Sequence, residues 1–236
     1  MSSYRVGLML YSVRDACAAD LEGTLRDVAA LGYQGVEIFD LHGHDPETVA
    51  DWLDELDLVA IARHSSLEDI ESRLPDLAAE ARALGWERLV VSWVDPANLN
   101  DETIDRLALA ATAASSAGLE LGYHNHDAEV EQGFLDRLPL GVFLELDAGW
   151  AWYAGTDPVA LVGRGPLVHI KDLRRRGERS FCAVGDGGVG FARFVPAAVE
   201  AGAEWLIVEQ DESAVSAIED ARRSYGALQR MLEEVV

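Results

Sequence analysis

Residues 121–127 read LGYHNHD, a strand-like run that ends in two histidines flanking an asparagine. Histidines so placed can ligate a metal, carry a proton, hydrogen-bond a substrate or fill a polar loop. Three further residues strengthen the first option, because His124, Asp147, His169 and Glu209 each close an apolar run in the second half of the chain. A mixed imidazole and carboxylate set suits Mn2+, Co2+, Fe2+ or Zn2+, admits Mg2+, and is too rich in nitrogen for a dedicated Ca2+ site. Taken singly, such a residue is more often a cap or a loop hydrogen-bonder. Four of them at consecutive strand ends point to one divalent ion.

The elements that must position them alternate along the chain. Strand-like runs fall at 5–10, 35–39, 58–62, 88–93, 119–124, 141–146, 167–170 and 205–209. Between them the helical periodicity predicts helices over 21–31, 45–55, 67–84, 101–117 and 191–201, with a last one over 214–234. Gly32, Gly85, Gly118 and Gly202 stand where a left-handed residue would end a helix. Eight βα units in 236 residues predict a single-domain α/β fold spanning 1–236, a closed (β/α)8 TIM barrel. A doubly wound open sheet is the alternative. In a barrel the active site lies at the carboxyl ends of the strands. There the sequence places Glu37, His64, Trp93, His124 with His126, Glu145 with Asp147, His169 with Lys171, and Glu209.

The bulk composition narrows the function. Against 19 basic residues stand 42 acidic ones, a net charge of −23 that repels a nucleic-acid backbone. The basic run Arg174-Arg175-Arg176 reads as a solvated loop. No apolar run reaches the ~18 residues of a membrane helix and no cleavable leader opens the chain, so a cytoplasmic protein is expected. Cys17 and Cys182 are expected to be inert. Gly185-x-Gly187-x-x-Gly190 copies a dinucleotide fingerprint. With a single strand left after it, it reads better as a flexible loop, a lid whose backbone amides meet a substrate oxygen.

The stretches VGLMLYSVRD, LGYQGVEIF, GYHNHD, LELDAGW, HIKD and IVEQDES, in this order from about Tyr4 to Tyr225, resemble the sugar phosphate isomerase/epimerase group of xylose isomerase-like TIM barrels, which includes inosose dehydratases and ketose epimerases. The resemblance implies a divalent metal at the barrel mouth, with Asp147, His169 and Glu209 on the family's aspartate, histidine and last glutamate. On the fifth strand the chain departs from the family: His124-Asn125-His126 stands where many relatives have a glutamate followed by Asn-His. His124 is then expected to replace that carboxylate as a ligand and His126 to face substrate. Of the two metal-bound glutamates that move the proton in the epimerases, only Glu209 remains. Trp150, where relatives often have a histidine, alters the substrate pocket.

The chemistry expected is enolisation of a small polyhydroxy ketone or aldehyde, a sugar or cyclitol, with the metal as Lewis acid. Glu145, Lys171 and Glu209 are the candidate catalytic residues; Glu37, also a candidate base, is placed with His64, Trp93 and His126 on the substrate side. Glu145 shares a strand face with Asp147 one layer deeper, and a buried Glu145–Lys171 salt bridge is an equal alternative to a role as base. Lys171 is otherwise a proton donor whose pKa the cation lowers. Dehydration, cleavage of a 3-keto glycoside and a non-catalytic sugar-binding barrel remain alternatives. A metal-dependent endonuclease is disfavoured by charge, and a homodimer is compatible with the sequence.

Overall fold

The computed structural model describes residues 4–233. Its strands are β1 (Arg5–Met9), β2 (Gly35–Ile38), β3 (Val59–Ser65), β4 (Arg88–Val91), β5 (Glu120–His124), β6 (Val142–Asp147), β7 (Leu167–Ile170), the short pair β8 (Asp172–Leu173) and β9 (Phe181–Cys182), and β10 (Trp205–Val208). Eight of them close a parallel barrel in the order β1-β10-β7-β6-β5-β4-β3-β2, while β8 and β9 form an antiparallel hairpin above it. Closure removes the open-sheet alternative. The molecule is a single-domain TIM barrel.

Around the barrel run α1 (Arg14–Ala19), α2 (Leu21–Leu31), α3 (Pro46–Glu55), α4 (Leu67–Leu84), α5 (Asp101–Ser116), α6 (Asp127–Glu131), α7 (Ala148–Tyr153), α8 (Phe191–Glu200) and α9 (Ala217–Glu233). The expected helices agree to within a few residues; Glu234, where the last was expected to end, lies outside the described residues. The four punctuating glycines all have positive φ, from +79° at Gly85 to +101° at Gly32. Each ends its helix without the Cβ clash that another residue would meet. The short α1, α6 and α7 and the β8–β9 hairpin had no clear sequence signal, being too brief to show a period.

The barrel interior is layered. Met9, Ile61, Ala62, Val90, Leu167, Trp205 and Ile207 form an apolar plug in its lower half. Gly35 lets the plug close, since a Cβ there would meet the Trp205 ring and the Val59 carbonyl, both at 2.7 Å. Two residues further along several strands, on the same face, polar side chains replace apolar ones: Glu37 above Gly35, His169 above Leu167, Glu209 above Ile207. His64 joins them through a local irregularity. The register of β2 against β3 shifts between Val36 and Ile38, which face Ala60 and Arg63, so β3 carries one extra residue. Consecutive Ile61 and Ala62 both enter the plug, and the parity change turns His64 inward. The expected third strand, ending at residue 62, was too short for this reason.

Candidate metal centre

Strand register brings the upper polar residues to one place. His124 at the end of β5 faces Glu145 on β6, and Asp147, two residues on, faces His169 on β7. Glu209 follows directly after β10. His124 Nε2 lies 3.7 Å from Asp147 Oδ2 and 3.9 Å from Glu209 Oε2, and His169 Nδ1 is 2.8 Å from the same Glu209 oxygen. One ligand atom from each of His124, Asp147, His169 and Glu209 lies within 4.8 Å of all the others, and all four residues are buried.

Local structure fixes each of these groups. Asp147 caps α7, accepting the Trp150 N–H on Oδ1 at 2.8 Å, which leaves Oδ2 buried beside the Lys171 ammonium, 3.0 Å away. Asn125 holds the backbone of the same residue by accepting its N–H at 2.9 Å and donating to its carbonyl at 3.3 Å. The central residue of His-Asn-His is therefore a clamp between β5 and β6. Two imidazoles and two carboxylates, all buried and with ligand atoms this close, together fit a divalent cation such as Zn2+ or Mn2+.

Lys171 supplies a positive charge at the rim. Its Nζ lies 3.0 Å from Asp147 Oδ2, 2.9 Å from Glu209 Oε2 and 3.0 Å from Asp211 Oδ1. Burial disfavours the ammonium, but Asp147, Asp211 and Glu209 together hold its pKa well above the usual lysine value. The expected Glu145–Lys171 pair does not form. Register sets Asp147, not Glu145, level with His169, so Lys171, two residues further along the chain, lies two layers above Glu145. Asp211 was missed by sequence reasoning although it stands two residues after Glu209 and so shares its side of the chain.

Glu145 and Glu37 occupy the layer below. Both are fully buried and neither lines the cavity at the barrel mouth. Glu145 Oε2 lies 2.7 Å from His64 Nε2, 3.0 Å from His124 Nδ1 and 3.4 Å from His169 Nε2. Glu37 Oε2 lies 2.7 Å from His169 Nε2 and 3.2 Å from His64 Nε2. Both carboxylates thus face histidines and not the cavity, where Glu145 was expected as a base and Glu37 as a substrate contact.

The cavity encloses about 600 Å3, in the range of small-molecule sites. His64, His124, His126, Trp93, Trp150 and Glu209 line it, together with Asp211 and Arg179. Trp93 is half exposed at its edge. Trp150 lies between two cations, 5.1 Å from Lys171 Nζ and 5.2 Å from Arg179 Cζ. Burial, then the neighbouring His124 and Lys171, keep the His126 pKa well below the ordinary histidine value. Burial lowers His124 likewise, reinforced by His169. For Glu209 burial works the other way, but Lys171 and His169 outweigh it and hold the carboxyl well below its usual range.

The glycine loop differs from expectation. Gly185 N and Gly187 N donate to Asp172 Oδ2 at 2.9 and 3.0 Å, and Val189 N donates to Oδ1 at 3.3 Å. Its amides are engaged by a carboxylate of the chain itself and are not offered to a substrate. Gly187 is required there because a Cβ would lie 2.1 Å from Asp172 Oδ1. The three arginines 174–176 are exposed, as expected of a solvated loop. Both cysteines are unpaired, and burial pushes the Cys17 thiol up to about 12 and that of Cys182 up to about 11, so neither is a ready thiolate.

Comparison with known proteins agrees with this architecture. Over 83% of its length the chain is 24% identical to the inosose dehydratase of Lacticaseibacillus casei, of which 84% is covered. A sugar phosphate isomerase/epimerase from Parabacteroides distasonis superposes with a TM-score of 0.81 at 21% identity, covering 97% of this chain and 94% of that one. The IolI protein with a bound zinc atom superposes with a TM-score of 0.77 at 14% identity, covering 98% and 99%. Residues 25–234 match the model of one protein family, and the chain belongs to it: the xylose isomerase-like TIM barrels.

Proposed function

We propose that this protein is a divalent-metal-dependent enzyme that enolises a small polyhydroxy ketone or aldehyde, a sugar or cyclitol, as an isomerase or epimerase. The observation that carries the reading is the meeting of His124, Asp147, His169 and Glu209 beneath a cavity of about 600 Å3 at the carboxyl ends of the strands. The relatives named as an inosose dehydratase and a sugar phosphate isomerase/epimerase, and the neighbour with zinc, support it. A divalent cation held by those four residues is a Lewis acid that makes the C–H beside a carbonyl more acidic.

The side chains of the chain do the rest. Glu209 lines the cavity and is ionised, so its carboxylate can take and return the proton at the substrate carbon. Lys171 holds Glu209 and Asp147 in place through its ion pairs instead of donating a proton itself, being almost fully buried. His126 presents a neutral imidazole to the cavity and hydrogen-bonds a substrate hydroxyl. Trp93 and Trp150 offer apolar faces to the C–H side of a sugar ring.

Dehydration of a keto-sugar or cyclitol is the second reading, and one feature favours it. His124 stands at the strand end where a second carboxylate would serve as the partner base, so a proton removed by Glu209 has no opposite carboxylate to return it. Solvent deuterium exchange tests both readings. Incubated in D2O with Mn2+ and a panel of keto-sugars and inososes, the protein is expected to label the carbon beside the carbonyl of at least one substrate. Label in recovered sugar supports isomerisation or epimerisation, and a product lighter by one water supports dehydration. Neither result across the panel contradicts enolisation.

A further inference from the structure

A neutral imidazole carries one N–H and one free lone pair, and an ionised carboxylate can only accept. A ring nitrogen facing a buried carboxylate therefore holds the proton, and the opposite nitrogen is left with its lone pair. Of the two histidines in the candidate metal set, His124 shows this arrangement. It turns Nδ1 toward Glu145 Oε2 at 3.0 Å and Nε2 toward Asp147 and Glu209 at 3.7 and 3.9 Å. His169 does not, since carboxylates face both of its ring nitrogens at hydrogen-bond length, Glu37 Oε2 at 2.7 Å from Nε2 and Glu209 Oε2 at 2.8 Å from Nδ1. The upper separations at His124 are too long for hydrogen bonds, whereas the lower ones are ordinary hydrogen-bond lengths.

We propose that Glu145 is a positioning residue that sets the tautomer of one histidine ligand, keeping His124 as the Nδ1–H form so that His124 Nε2 offers its lone pair to the cation. Glu145 does not line the cavity, so it does not act on substrate directly. His64 completes the layer. Its Nε2 lies between the two carboxylates, 2.7 Å from Glu145 Oε2 and 3.2 Å from Glu37 Oε2. Glu145 reaches His124 from the strand between β5 and β7. The inference rests on the cation site proposed above, and it gives one expected catalytic residue a different task.

Removal of such a partner from a ligand histidine costs 10- to 100-fold in metal affinity as a general magnitude, about that range being expected here. The test uses the whole protein with Zn2+ as probe. Affinity is read by chelator competition, ion count by elemental analysis, and imidazole tautomers by 15N NMR of histidine-labelled protein. Wild type is expected to bind one Zn2+ per chain and to show His124 as Nδ1–H. Glu145→Leu is expected to lose about 10- to 100-fold in affinity and to move His124 toward Nε2–H. Glu145→Gln, whose amide oxygen still accepts, is expected to fall between the two.

Unchanged affinity in Glu145→Leu with only a lower Tm would mean a merely structural role and overturn the proposal. A second Zn2+ in wild type that Glu145→Leu loses would make Glu145 a ligand and overturn it also. If wild type takes up no Zn2+ the cation site itself falls, and the tautomer comparison still decides the positioning role. Should Glu145→Leu fail to fold, the wild-type spectrum decides alone: His124 as Nε2–H is incompatible with the proposal.

Discussion

His124 and His126 are two residues apart and do different work. His124 is buried against carboxylates above and below, whereas His126 lines the cavity, has an unpartnered Nδ1 and packs against Trp150. His124→Ala should weaken metal binding by at least about tenfold, on the order of 1.4 kcal/mol. His126→Ala should leave metal occupancy intact and raise KM; the reverse pattern would exchange their roles. His64 makes a prediction about pH. Burial pulls its pKa down, but Glu37 and Glu145 pull harder and hold it at about 10 against 6.5 when unfolded. The folded state then binds the extra proton between those values, so the stability from His64 is complete below pH 6.5 and is lost as pH rises toward 10. The unfolding free energy from denaturant titration should fall across that window by at most about 1.4 kcal/mol per pH unit, and His64→Gln should flatten the slope. A wild-type curve that is flat there would contradict the assignment. The ligand types at the site were legible because each ends an apolar run. Asp211, the Asn125 clamp and the lower carboxylate layer were not, since they depend on which neighbours register brings alongside.

At the scale of elements, the alternation of strands and helices was readable from period and from four glycine helix ends. The bulge in β3 was not, because one extra residue reverses the face of everything after it without changing composition, and that reversal is what brings His64 to the site. The glycine loop was misread for a related reason. Its pattern is the one that would cradle an anion, and the anion proves to be Asp172 of the same chain. Burial raises that carboxyl above its usual range, and the amides of Gly185, Val189, Gly187 and Leu173 offset only part of the rise. Asp172→Ala should strand several of these donors at about 1–3 kcal/mol for each one left buried and unpaired, and should speed hydrogen exchange at residues 185–189. Lower in the barrel, Trp205→Ala should cost about 3–5 kcal/mol by emptying the plug beneath the site. Calorimetry of the two variants separates the contributions, since only the first should leave protection of the barrel strands intact.

For the whole molecule, the net charge of −23 argued against nucleic acid and also bears on stability. Self-repulsion is screened over about 8 Å at physiological salt, so Tm should rise as NaCl increases from a few millimolar to about 0.15 M. A fall would mean that the surface ion pairs outweigh the net charge. Closure of the sheet could not be read from strand count, because an open sheet uses the same units; it is the closed barrel that lets β2 and β3 face β6 and β7 across one interior. The central claim is that this interior holds a single divalent ion between His124, Asp147, His169 and Glu209. Elemental analysis after reconstitution with Mn2+ or Zn2+ and extensive dialysis tests it most directly. About one ion per chain in wild type, with none in Asp147→Ala or His169→Ala, is the result expected. Wild-type protein without metal, or both variants retaining the full complement, would contradict it.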